Sequence, residues 1–399
     1  MSAQGGRMSE ASANVVGIQD APMQRDRTAG WKFFRDAGDV FQDQLGVWYV
    51  TSRELIQAAL TQPKVFSSKH AFDVSGAPVP MIPVGSDPPD HVRYRRALDP
   101  LFSPRVIGPM EDDLRRQVAV LIDAFADQDG CDVMGDLGNI FPAQVFLTMF
   151  GMPLDDRDKL VGWITTIQNE TNLQEPGVLS EKMVATSKAV VEYLQSIIDA
   201  KRANPGDDIF SRILTLSGGD AWSEEEILGF AYLFMIAGLD TVAATIGHVM
   251  HYLATHPDVR KQVVADPESV NPVVEEIIRM ETVAPLLPRI TSEAVELGGF
   301  TIPAGSFVVL AFGAANRDPR RYPNPDQVDV SQADIGHLTF GGGIHRCVGS
   351  HLARRELRLM VDEFHKRIPD YELAPGADPV VAWPTTTMRF ESLPLVFRK

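Results

Sequence analysis

Cysteine is almost absent from this chain: Cys131 and Cys347 are the only two in 399 residues. Two thiols cannot build a disulfide scaffold or a four-thiolate iron–sulfur cluster, and their scarcity fits a reducing compartment. Cys-x-x-Cys-His does not occur, which excludes a covalently tethered haem. Basic residues are in deficit: 37 Lys and Arg stand against 53 Asp and Glu, a formal charge of −16 that argues against nucleic acid or an anionic membrane as partner. The glycine-rich stretch near residue 341 lacks GxGxxG spacing and GK[ST], so it is not a nucleotide-phosphate cradle. Residues 1–30 contain no apolar run; rich in Ser, Ala, Gly, Gln and charge, they read as a mobile tail rather than a signal peptide or anchor. A cytoplasmic protein is expected. Repeats, low-complexity tracts and linkers are missing too, so residues 31–399 are expected to form a single domain, and 44% apolar residues suffice for a large core.

Helical signals dominate what is present, with short strand signals near the two ends. The fold class expected is mainly α with a small β region. Residues 47–50 and 307–312 read as strands, and 297–300 and 302–305 as turns. Ser223 and Glu226 form a capping-box pattern, and no proline follows until Pro257. That predicts a helix of roughly 45 Å at 1.5 Å per residue. Residues 227–250 are nearly uncharged and long enough to cross a bilayer, but Asp240 would sit mid-membrane at a cost of roughly 3 kcal/mol. A central buried helix is the better reading.

Phe340-Gly-Gly-Gly-Ile-His345-Arg-Cys347-Val-Gly349 places Cys347 in a glycine-lined loop just before a predicted helix. Helix-terminal N–H groups favour a thiolate there and temper its charge, a setting that suits sulfur bound to iron. The glycines let the backbone lie against a flat ligand, Phe340 can cover the sulfur, and His345 can meet an anionic group. A lone cysteine is ordinarily a small buried hydrophobe; here its neighbours favour haem with one thiolate ligand.

The residues resemble the cytochrome P450 family from about Asp87 to the C-terminus. FGxGxHxCxG is matched at every fixed position, Gly349 included, by residues 340–349. Glu276-Ile-Ile-Arg279 matches the ExxR of the K helix, Ala237-Gly-Leu-Asp240-Thr241 the oxygen-binding segment of the long central I helix over haem, and His91-Val-Arg-Tyr-Arg95 the HxxxR of the C helix. The resemblance implies non-covalent haem b (iron protoporphyrin IX) with Cys347 as metal ligand, and propionates held by His91, Arg95, Arg289 and His345. It gives Thr241 the task of orienting dioxygen and Asp240 that of supplying protons, with Ala237 and Gly238 clearing room. The alternative for Thr241 is a bond back to the carbonyl one turn earlier. Glu276 and Arg279 become a buried structural pair instead of an exposed i,i+3 contact. The chain departs from the pattern at Gln332, where an arginine usually joins that pair, which puts the third member of the network in doubt.

A monooxygenase of this family needs electrons one at a time, and no flavin or cluster segment exists in this chain, so a separate ferredoxin is expected. Arg93, Arg96, Arg346, Arg354, Arg355 and Arg358 could form its basic docking face, or be a solvated helix surface. Several stretches, residues 367–375 among them, are most similar to the camphor-hydroxylating bacterial type. Its substrate-contacting tyrosine is replaced near Val79. With Leu233, Ile236, Val283, Ala284 and Thr387 as further pocket candidates, a compact terpenoid, alicyclic or aromatic substrate is expected, in a monomeric enzyme. A peroxide-driven oxygenase and a non-enzymatic haem or gas sensor are the other classes. Retention of Asp240-Thr241 speaks against the first, and the lack of an output domain against the second.

Overall fold

The computed structural model describes residues 17–170, 179–216 and 221–398. Helices form most of it. The ones that place the site are α1 (Arg27–Ala37), α2 (Asp90–Leu98), α3 (Glu111–Asp123), α4 (Ile140–Phe150), α5 (Arg157–Glu170), α6 (Glu224–Thr255), α7 (Val270–Met280) and α8 (Ser350–Arg367). A five-stranded sheet lies to one side, built from β1 (Val40–Gln42), β2 (Trp48–Val50), β3 (Phe66–Ser67), β4 (Leu286–Thr291) and β7 (Phe307–Ala311), in the order β1-β2-β7-β4-β3. Between its last two long strands, β5 (Val295–Leu297) and β6 (Phe300–Ile302) make a hairpin. Gly298 and Gly299 turn it with φ of 58° and 86°, the left-handed pair a two-residue hairpin requires. A second sheet joins Gly130–Asp132, Pro394–Phe397 and Tyr371–Leu373.

α6 is the axis of the molecule. Its capping box is present: the Ser223 hydroxyl accepts from the Glu226 N–H at 3.2 Å, and Glu226 returns a bond to the Ser223 N–H at 2.7 Å. Thirty-two residues follow without a break. It is the one described helix long and apolar enough to cross a membrane, and 67% of its most apolar stretch is buried inside the fold, as for a core helix. At Gly229 a side chain would collide with the Pro80 carbonyl, so the connection before α2 lies directly on α6.

Residues 17–30 correct the expected tail. Ala21 and Met23 are buried, α1 starts at Arg27, and Trp31 is fully enclosed. The segment is fastened to the C-terminal end of the chain: Trp383 Nε1 donates to Ile18 O at 2.9 Å and Val381 N to Gln24 O at 3.1 Å. Its few apolar anchors are scattered among polar residues, so composition concealed them. Residues 1–16 of the expected tail lie outside the described residues.

A buried ion pair ties α7 to the segment that leads to Cys347. Arg279 and Glu276 are each 1% exposed. The guanidinium bonds both Glu276 oxygens at 2.9 Å and the carbonyls of Asn316, Pro325 and Gln327 at 2.8 to 2.9 Å, over the Tyr322 ring. The third partner is main chain: the Asp329 N–H donates to Glu276 at 3.2 Å. Gln332 does not join. It is buried and bonds the main chain of Asn324 at 3.1 and 3.3 Å. The Asn316 amide then donates to Thr282 and Thr339, and accepts from Leu338 N at 2.6 Å, two residues before Phe340.

Removing one member of this pair should be costly, because the other charge stays buried. Glu276→Ala is expected to lower stability by about 3–5 kcal/mol, read as the midpoint of guanidinium unfolding. Arg25→Ala, which breaks an exposed pair with Asp378, should leave that midpoint in place. Equal effects of the two substitutions would remove the pair from its structural role.

Candidate active site

The cysteine loop is shaped by its own backbone. Cys347 N donates to Phe340 O at 2.8 Å and Gly341 N to Leu338 O at 2.8 Å. Gly341 and Gly343 have φ of 67° and 60°, and a Cβ at Gly343 would overlap the Leu60 carbonyl, so glycine is required where the loop meets the preceding layer. The Cys347 thiol is exposed, yet it lies deep enough for burial to push its pKa up. Both hold for a sulfur lining an internal cleft. The Gly349 N–H, just before α8, bonds to it, and Arg95, Arg354 and Arg346 also favour the thiolate. Phe340 is covered by the Arg354 guanidinium at 4.3 Å. Arg354 is in turn held by Glu275 at 2.6 and 3.1 Å, and Glu275 also meets His337 Nε2 at 3.0 Å. Despite burial, these two partners hold the Glu275 carboxyl down at about 2.

α6 is uncovered at one place along its middle. Ala237 is exposed, and Ile236, Gly238 and Thr241 are half-buried, in the middle of a helix otherwise enclosed. The Thr241 hydroxyl donates to Ala237 O at 2.8 Å, the back-bond that was the alternative for this residue. Asp240 faces elsewhere. It is buried, its carboxyl bonded by the side chains of Thr387 and Gln168 with Arg389 near, and burial raises its pKa. No hydrogen bond joins it to Thr241 among the described residues. Thr387, expected at the pocket, is a hydrogen-bond partner of Asp240, and Arg389 beyond it donates to Asn169 at 2.5 Å. A Cβ at Gly238 would sit 3.1 Å from the Phe146 ring, so the glycine also lets α4 approach closely here. Val79, Ile236 and Ala284 are half-buried, and Leu233 and Val283 buried.

The predicted propionate ligands converge from separate elements. His91 on α2 is 2% exposed, and its Nε2 has no hydrogen-bond partner. Its ring lies 4.3 Å from that of His345. Arg289 on β4 is 3% exposed, and its one described hydrogen bond goes to the carbonyl of Pro288. Burial lowers its pKa to about 10 although Asp87 is near. Burial and the neighbouring arginines likewise depress His91 to about 4 and His345 to about 2. Arg95 spans to the cysteine loop, donating to Ile344 O at 3.2 Å and Arg346 O at 2.7 Å. Buried donors and cations that lack acceptors are what two carboxylates would satisfy, so the residues present fit haem. Ser68, Asp87 and Gln168 also shape this region. The sequence offered no signal for them, because their partners lie on other elements, from 19 to 277 positions away.

The expected basic face is largely neutralised. Arg93 pairs with Glu226, Arg354 with Glu275, and Arg355 and Arg358 both with Glu111. Arg96 and Arg346 are exposed.

A family model described as Cytochrome P450 matches residues 31–367. The chain is 31% identical over 353 residues to the vitamin D(3) 25-hydroxylase of Pseudonocardia autotrophica, covering 86% of each chain. It is 32% identical over 298 residues to the 6-deoxyerythronolide B hydroxylase of Saccharopolyspora erythraea, covering 74% of this chain and 72% of the relative. Among solved structures, that of CYP109E1 from Bacillus megaterium in complex with testosterone superposes with a TM-score of 0.84 at 26% identity, over 92% of this chain and 97% of the other. With the cysteine loop, the buried ExxR pair and these likenesses together, the chain belongs to the cytochrome P450 family.

Proposed function

We propose that this protein is a haem-thiolate monooxygenase that inserts one atom of dioxygen into a C–H bond of a small apolar substrate, in one catalytic domain of residues 31–399. The observation that carries the reading is Cys347: a thiol inside the fold, left uncovered, with a backbone N–H aimed at its sulfur. Haem b, when bound, would supply dioxygen activation, with Cys347 as the residue that would hold its iron.

The chain's own residues then have distinct tasks. Cys347 holds the iron, Phe340 keeps water from the sulfur, and the Gly349 N–H moderates its charge. His91, Arg95, Arg289 and His345 take the propionates. Thr241 keeps its lone pairs free while donating to Ala237 O, so it can accept a hydrogen bond from a protonated group or a water, and it orients dioxygen when its O–H turns from Ala237 O. Asp240 is the acid: burial raises its pKa and so favours the protonated form, and it releases its proton on turning from Thr387 and Gln168.

The walls at Val79, Leu233, Ile236, Val283 and Ala284 select an apolar substrate. A terpenoid, alicyclic or aromatic compound suits them. The relatives' names favour a second reading, a larger polycyclic or macrocyclic substrate, since one is a vitamin D(3) hydroxylase and another acts on 6-deoxyerythronolide B. A panel of both kinds, screened for a substrate-induced shift of the haem spectrum, separates the two. Electrons come from a separate ferredoxin, in the cytoplasm, to a monomeric enzyme.

Thiolate ligation is expected to give the reduced carbon monoxide complex a far red-shifted Soret band, and Cys347→His should abolish it. A histidine-type spectrum in the intact protein would refute the assignment. Thr241→Ala should go on consuming reductant and oxygen while releasing hydrogen peroxide in place of product, and Asp240→Asn should slow turnover by about 100-fold, the scale of a lost acid. Unchanged coupling and rate in both would return Thr241 to a helix-bonding role. Because most nearby arginines are paired internally, docking charge is concentrated near Arg346. Arg346→Glu should slow first-electron transfer from a ferredoxin, and raised salt should slow the wild type, exposed charges being screened within about 8–10 Å. A rate indifferent to both would place docking on apolar contacts.

A further inference from the structure

We propose that Ser68 is a positioning residue for haem: it engages one nitrogen of the His345 ring and so presents the other to a propionate. The inference rests on the assignment of His345 to that carboxylate.

Ser68 follows β3 and is 0% exposed. Its Oγ lies 3.0 Å from His345 Nε2, across 277 positions of sequence. The hydroxyl is held in direction by its own backbone. The Ser68 N–H donates to Asp87 Oδ1 at 2.9 Å, and the Ser68 carbonyl accepts from Ala71 N at 3.1 Å. Asp87 also takes the Ser67 hydroxyl, so one carboxylate fastens both serines. His345 closes the one-turn helix Gly343–His345 within the cysteine loop, its ring stacked edge-on against His91. An imidazole on a short turn can present either nitrogen after a ring flip, and the bond at one nitrogen decides which hydrogen the other carries. With Nε2 taken by Ser68, Nδ1 is the nitrogen left for a carboxylate. The contact also pins residues 67–87, which include the pocket residue Val79, to the loop that carries Cys347. A donor oriented in this way loses less freedom on binding haem than one free to flip.

The test uses ferric holoenzyme and follows haem transfer to excess apomyoglobin. Ser68→Ala should speed haem loss by about 3- to 10-fold, the scale of one hydrogen bond, and Ser68→Thr, which keeps the hydroxyl, should restore the slow rate. His345→Gln should also speed loss, and Ser68→Ala should add nothing further in the His345→Gln background. The resonance Raman propionate-bending band should shift in Ser68→Ala in the same sense as in His345→Gln. If Ser68→Ala leaves the rate unchanged while His345→Gln raises it, the role of Ser68 is refuted and the propionate assignment stands. If Ser68→Ala adds its full factor in the double variant, Ser68 acts through packing and not through His345. If His345→Gln has no effect, the propionate assignment itself fails, and the inference with it.

Discussion

The guanidinium of Arg279 is the constraint on which the rest of the site depends. Enclosing a charge is tolerable only when every donor finds an acceptor, and here the acceptors are one carboxylate and three main-chain carbonyls from residues 316–327. Satisfying the charge therefore fixes the path of a segment with no regular structure of its own. From Asn316 the same network continues to Leu338 and Thr339, and Thr339 closes it by donating to Ile278 O at 2.8 Å. The cysteine loop is thus launched from a point whose position α7 sets.

Charge elsewhere is organised by the same rule, pairing before exposure. A net −16 protein places arginines around its reactive loop, and most of them are committed internally. The groups that break the rule are His91 and Arg289, buried with few acceptors, and the half-buried His345 beside them. Such a cluster is unfavourable in a protein alone and favourable around a dianion. Its stability cost is the mirror of its affinity for haem.

What could be read in the sequence was local. The capping box of α6, the Gly298-Gly299 turn and the cysteine loop depend on neighbours within a few residues, and each is found where the spacing placed it. The partners of Thr387, Gln332 and the arginines were not legible, for the opposite reason. Their roles are set by partners from other elements, and a polar residue near a predicted pocket carries no mark of which way it turns. Thr387 faces Asp240, Gln332 faces Asn324, and Arg354 lies over Phe340. The ExxR pair was legible as a motif, but its third partner, the Asp329 N–H, was not, because any residue can supply a backbone amide.

The stretch around Met388 joins two functions that enzyme design usually treats as separate. Met388 is fully enclosed; its N–H donates to Val283 O at 2.8 Å, and its carbonyl lies 3.0 Å from His248 Nε2 on α6. Val283 belongs to the proposed substrate wall, and the adjacent Thr387 holds Asp240. Remodelling that wall to admit a bulkier molecule would displace the very segment that restrains the proposed acid. In this scaffold substrate scope and the economy of reductant are inherited together, and a broadened variant would have to be selected for both at once.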